Sequence, residues 1–235
     1  MATSGRCPRC GGPLTPARDA AAASTTLPGA SSPWECAIHG PVAPYTVAPE
    51  PSAEVLADLV RWAPVPVWLP DPLPAGWRMS GLAWVGDEAL GGTAGAAVVT
   101  ALSGPHPLGG SADMLFVAED PGVGLGARLA GLGGIDAGDL VQGAPTGKLS
   151  AGRHPTPVWE VVAGGPDGQP SPDPFHGAQE RVALVGEADG CWLWWILHPL
   201  SAGLLTVEPP SLVDLRDAGR VPADLVYGAG SLPLG

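Results

Sequence analysis

The chain has 235 residues, enough for one or two domains with a sizeable core, and its net charge of −12 sets it against polyanionic partners. Three of the four cysteines fall in metal-ligand spacing and leave no disulfide framework, and Met1 to Cys7 contains no apolar secretory stretch, so the cytoplasm is the expected compartment. The longest strongly apolar run, residues 191–197, falls far short of the ~20 residues that cross a bilayer, so no membrane-spanning helix is expected.

Chemistry appears first at the N-terminus. Cys7-Pro8-Arg9-Cys10-Gly11-Gly12 is matched downstream by Trp34-Glu35-Cys36-Ala37-Ile38-His39-Gly40. Each half offers two metal donors separated by two residues, followed by glycine that lets backbone amides turn toward the ligands. Three thiolates and one imidazole make a closed tetrahedral set of the kind structural zinc prefers, so Cys7, Cys10, Cys36 and His39 are the expected ligands. The Cys-x-x-Cys spacing also fits a redox dithiol, but that motif belongs at a strand-to-helix junction within a βαβ unit, and here it runs into Gly11-Gly12-Pro13. Zinc is the better reading. The stretch from Pro16 to Pro33, with its alanine run, is a low-complexity loop with nothing to bury. Residues 1–47 therefore read as a zinc ribbon and 48–235 as a second domain.

The charge divides along the same line. Residues 1–47 carry Arg6, Arg9 and Arg18 against Asp19 and Glu35, whereas 48–235 carry 8 basic and 21 acidic side chains, a net −13. An acidic body repels the phosphates that a nearly neutral ribbon would otherwise touch, so no nucleic-acid partner is expected. Only Lys148 stands against ten arginines, and alanine, glycine and proline abound, a bias that points to a GC-rich genome and not to a function.

Residues 43–51 read as a proline-punctuated linker. Ser52 then reads as an N-cap, Glu54 sits where the helix dipole favours an acid, and Val55, Leu56, Leu59, Val60 and Ala63 recur at helical spacing until Pro64. Beyond it come short apolar or alternating stretches between Gly, Pro and Asp turns, predicting strands over 65–69, 77–85, 94–102, 113–118, 158–163, 181–186, 191–198 and 204–208. Minor helices are expected at 123–130 and 212–218, and 164–179 reads as a disordered excursion. The expected fold is a small zinc ribbon followed by a mainly-β (α+β) domain with a largely antiparallel sheet and a few short helices.

Other motifs are weaker. Gly122-x-Gly124-x-x-Ala127 after an apolar strand mimics a dinucleotide fingerprint, but no βαβ pattern surrounds it and Glu119 and Asp120 put negative charge where a phosphate would sit; a plain turn is favoured. Gly143 to Leu149 lacks one spacer residue and the hydroxyl of a P-loop. His106 and His176 lie in loops. His198 ends an aromatic strand and forms an acid–base pair if Glu187 or Asp189 reaches it, although a satisfied strand-end histidine is the plainer reading. Cys191 reads as a buried free thiol. Nine tryptophans against two phenylalanines and two tyrosines imply core packing or an aromatic groove, with Trp192, Trp194 and Trp195 on both faces of one strand.

Taken in order, Cys-Pro-x-Cys-Gly-Gly from Cys7, Trp-x-Cys-x-x-His-Gly from Trp34, Val-Pro-Val-Trp-Leu-Pro from Val65, Leu-Pro-x-Gly-Trp from Leu73, Gly-Val-Gly-Leu-Gly-Ala-Arg from Gly122 and Leu-x-Asp-Leu-Arg-Asp-Ala-Gly from Leu212 resemble a family of uncharacterised actinobacterial proteins. The resemblance implies the N-terminal metal ligands and no catalytic residue. The expected function is a non-enzymatic zinc protein acting in protein interaction or regulation. The alternative is a small-molecule-binding protein or enzyme whose pocket uses Glu119, Asp120 and Arg128. Oligomeric state is not legible.

Overall fold

The computed structural model describes residues 5–17, 34–86, 97–132, 136–161, 181–219, 221–229 and 234. The expected low-complexity loop beyond Ala17 and the excursion at 164–179 lie outside the described residues. A three-stranded antiparallel sheet of β1 (Leu14–Pro16), β2 (Trp34–Cys36) and β3 (Gly40–Pro41) forms the N-terminal module. Everything else is organised by one ten-stranded sheet, largely antiparallel, with three short α-helices among the described residues: α1 (Ala53–Trp62), α2 (Leu125–Leu129) and α3 (Leu215–Ala218). No helix is long and apolar enough to cross a membrane.

The sheet runs from β4 (Tyr45–Val47) through β6 (Arg78–Val85), β7 (Ala97–Pro105), β8 (Ser111–Glu119), β12 (Cys191–His198), β11 (Val182–Ala188), β10 (His154–Val161), β9 (Gly147–Ala151) and β13 (Ser211–Asp214) to β5 (Trp68–Pro70). The fold turns at β10. Its first half pairs with β9 and its last three residues with β11. The far strands therefore double back, and Thr100 of β7 donates from Oγ1 to the Trp68 carbonyl of β5 at 2.7 Å.

Both faces of the central strands are consequently buried. On one face Leu193, Trp195 and Leu197 join Phe116, Trp68, Leu56 and Leu59 of α1; on the other, Trp194 and Ile196 join Leu115, Val117 and the α2 residues Leu125 and Ala127. Phe116 and Trp195 stack at 6.1 Å, and Trp62 of α1 meets Trp84 edge-on at 6.0 Å. The aromatic strand thus packs as core on each side, each buried indole contributing ~2 kcal/mol or more of apolar burial.

Three expectations change. The linker at 43–51 contains β4, an edge strand of the large sheet, because Tyr45 pairs both with Val85 and, in an isolated bridge, with Arg6. Residues 204–208 are not a strand: Leu200–Val207 is a 3₁₀ segment, hemmed by Pro199 and Pro209, which cannot donate to a ladder. Finally, the expected helix at 212–218 is split. Ser211–Asp214 is β13, parallel to β9, and only the rest is α3, which Asp214 caps by accepting from Arg216 N.

Candidate metal centre

Cys7, Cys10, Cys36 and His39 converge, with all four donor atoms within 4.8 Å of one another. Two tight turns place them. In the first, Gly11 N donates to the Cys7 carbonyl and Cys7 N to the Gly12 carbonyl, both at 2.8 Å, with Gly11 at φ +70°. In the second, Gly40 follows His39 at φ +68°. Both positions lie in the left-handed region, where a side chain is strained and glycine is not. Pairing of β1 with β2 sets Leu14 opposite Cys36 and draws the halves together.

Cys7 Sγ lies 3.4 Å from His39 Nδ1, Cys36 Sγ 3.6 Å from the same nitrogen, and Cys10 Sγ 3.7 Å from Cys36 Sγ. Burial opposes ionisation of Cys36, but the amides of Ile38 and His39 aimed at its sulfur outweigh burial and hold the thiol down at about 6. At Cys7 burial wins against the amides of Cys10 and Arg9 and pushes the thiol up to about 11. Cys7 and Cys36 are buried, and the set is a donor cluster able to hold one metal ion.

Glu119, Asp120 and Arg128 each meet a different partner. Both oxygens of the buried Glu119 carboxylate are engaged: Oε2 accepts from Leu125 N at 2.7 Å and Gly126 N at 3.2 Å, and Oε1 accepts from Trp194 Nε1 at 2.7 Å. The α2 amides that would have met a phosphate are thus satisfied from within. Desolvation raises Glu119 to about 7 against these donors. Asp120 lies 3.9 Å from the Cys191 sulfur. Arg128 turns toward the N-terminal module, donating from Nε to the Pro8 carbonyl at 2.8 Å, its guanidinium 4.6 Å from the centre of the Tyr45 ring. Arg9 reciprocates by donating to the carbonyls of Gly122 and Val123.

The histidines outside the cluster build no catalytic pair among the described residues. His106 accepts from Leu108 N at Nδ1, so its neutral ring carries hydrogen on Nε2 and donates it to Ser201 Oγ at 3.0 Å, the wrong direction for activating a hydroxyl. His198 does not reach Glu187 or Asp189. Those residues stand at the Ala188–Cys191 turn, the opposite end of an eight-residue strand, ~20 Å away at strand rise; Asp113 is its cross-strand neighbour instead.

A Cys₃His cluster on a small sheet, joined to a mainly β, largely antiparallel domain, defines the class of protein. The chain belongs to a family of unknown function, DUF6758, whose model matches residues 1–234. No curated protein and no solved structure matches it.

Proposed function

We propose that this chain is a non-enzymatic zinc protein in which a Cys₃His zinc ribbon is fastened to a β-rich domain that works through protein interaction or regulation. One observation carries the zinc reading. Around a tetrahedral zinc with bonds of ~2.3 Å to sulfur and ~2.1 Å to nitrogen, ligand atoms stand about 3.8 Å apart for sulfur pairs and about 3.6 Å for sulfur to nitrogen. The spacings of 3.7, 3.4 and 3.6 Å match these values. An ion held there has a closed shell, as in structural sites, leaving no position for substrate.

The interaction role is supported by apolar side chains left in solvent: Ile38 in the second knuckle, Leu108 and Leu200 beside the His106–Ser201 contact, and Val207 at the other end of the 3₁₀ segment. The alternative pocket at 119–128 is the weaker reading, since the Glu119 carboxylate is taken up by the α2 amides and the Trp194 indole and Arg128 faces Pro8 and Tyr45. The arginine bias fits an actinobacterial source, and four cysteines without a disulfide, three of them metal ligands, fit a reducing cytoplasm.

Elemental analysis of protein purified without added metal should find one zinc per chain. The Cys7→Ser, Cys36→Ser double variant should lose it; zinc absent from the wild type, or undiminished in the variant, ends the assignment. Affinity capture with both forms tests the interaction: a partner held by the zinc-loaded chain alone ties interaction to the ribbon, and equal capture by both unties it.

A further inference from the structure

The contact between the N-terminal module and the 122–128 loop is reciprocal. Arg9, between two ligands, donates to the Gly122 and Val123 carbonyls, while Arg128 donates back to the Pro8 carbonyl inside the same knuckle. Arg128 Nη1 lies 3.2 Å from where a Cβ on Gly11 would stand, so glycine there also leaves room for the guanidinium. Buried Arg128 Nη2 has no hydrogen-bond acceptor; the Tyr45 ring beneath the guanidinium supplies the electrostatic partner. Tyr45 is joined through its backbone to Arg6, one residue before the first ligand, by bonds of 3.1 and 2.7 Å.

The carbonyl that Arg128 grips belongs to the peptide unit whose other end is the Arg9 N–H, one of two amides directed at the Cys7 sulfur. A charged donor on a carbonyl polarises the whole unit and strengthens the hydrogen bond its N–H makes. Three thiolates around a divalent ion also leave a net charge of about −1, which Arg9 and Arg128 offset.

We propose that Arg128, 120 residues from Pro8 in the chain, is a positioning residue of the metal centre: through the Pro8 carbonyl it sets how tightly the first knuckle holds the ion, and metal binding in turn seats that knuckle on the 122–128 loop. The inference rests on the zinc reading above. The two directions are one coupling free energy, so each implies the other.

The test is a competition titration of zinc between the full chain and a chromogenic chelator. Arg128→Met should weaken zinc 10- to 100-fold, the usual effect of losing a residue that orients a ligand. Arg128→Lys, which keeps a cation over Tyr45, should recover part of the loss, and Arg61→Met, on the exposed face of α1, should leave affinity unchanged. In the cobalt-loaded protein, the sulfur-to-metal charge-transfer band should shift in Arg128→Met, a signature that a loss of stability does not produce. If that variant fails to fold, amide exchange on wild type replaces it: zinc should slow exchange at 125–132 relative to the chelated chain. Unchanged affinity and cobalt spectrum in a folded Arg128→Met, or exchange at 125–132 indifferent to zinc, overturns the proposal while the metal reading stands. A wild-type chain that binds no zinc overturns both.

Discussion

Glu119 and Trp194 meet in the core through a 2.7 Å hydrogen bond from the indole to the carboxylate, and that contact organises the loop carrying the most phosphate-like motif in the chain. Trp194 stands on β12 beneath α2, and a Cβ on Gly126 would fall 2.2 Å from its ring. Gly122 and Gly124 hold φ of +86° and +75° on the way into α2. The glycines of Gly-Val-Gly-Leu-Gly-Ala-Arg thus serve a tight turn and a close helix-on-indole approach, and the loop ends at Arg128, which reaches the metal module.

Gly126→Ala should therefore be severe. The clash is with a rigid ring buried on all sides, which cannot swing away as a flexible side chain would, so overpacking should cost about 3 kcal/mol. Urea denaturation measures it. A variant as stable as wild type would mean that α2 can lift off Trp194 freely.

Glu119 predicts an unusual pH dependence. Its carboxyl titrates near 7 when folded because burial disfavours the charge, and near ~4.3 when unfolded. Between those values the native state binds more protons than the unfolded state, so stability falls as pH rises from about 4.5 to 7 and levels off above. The ceiling is about 4 kcal/mol. Acid also strips metal from thiolates, so wild type must be compared with Glu119→Gln at each pH: wild type should lose stability relative to the variant as pH rises from about 4.5 to 7, and no further above. Parallel pH profiles for the two proteins would refute the assignment.

What could be read from the residues was local. Ser52 caps α1 through Val55 N as its hydroxyl and position suggest, and β12 spans 191–198 because an unbroken apolar run between a glycine turn and a proline leaves little choice. The four ligands were legible for the same reason, each pair being separated by two residues. Strands β4, β9 and β13 were not. They are short and carry polar residues such as Thr46, Lys148 and Ser211; β4 and β13 owe their form to distant partners, while β9 is set by its hairpin with β10 and by β13. Arg9 and Arg128 look like ordinary surface charges in the sequence. Only the seating of α2 on the sheet face that also carries Tyr45 of β4 brings them together, and no spacing rule spans that separation.

Removing the metal should unfold the N-terminal module, whose order depends on a binding term of ~10–16 kcal/mol, while leaving the double-faced core around Trp194 and Trp195 intact. Far-UV circular dichroism should keep its β character under chelation. The remaining domain should melt a few degrees lower, since losing the Arg128 contacts and part of the β4 edge removes on the order of 1–2 kcal/mol. Global collapse would show that the module is an integral part of the main core.

Nucleic acid provides the last test, because small metal-bound modules often invite that reading while the charge here opposes it. Six phosphate contacts would give a salt slope of about −5 on logarithmic axes. The N-terminal region offers Arg6, Arg9 and Arg18, and Arg9 is already spent on the Gly122 and Val123 carbonyls. Residues 48–235 carry 8 basic against 21 acidic side chains, and the Arg9 and Arg128 contacts hold that acidic body beside the module. Mixed-sequence duplex and single-stranded nucleic acid should therefore show no binding at physiological salt by fluorescence anisotropy. Micromolar, salt-sensitive binding lost in an Arg6→Ala, Arg9→Ala variant would reverse the conclusion and make the module a recognition element, one that must undock from the 122–128 loop to free Arg9 for phosphate.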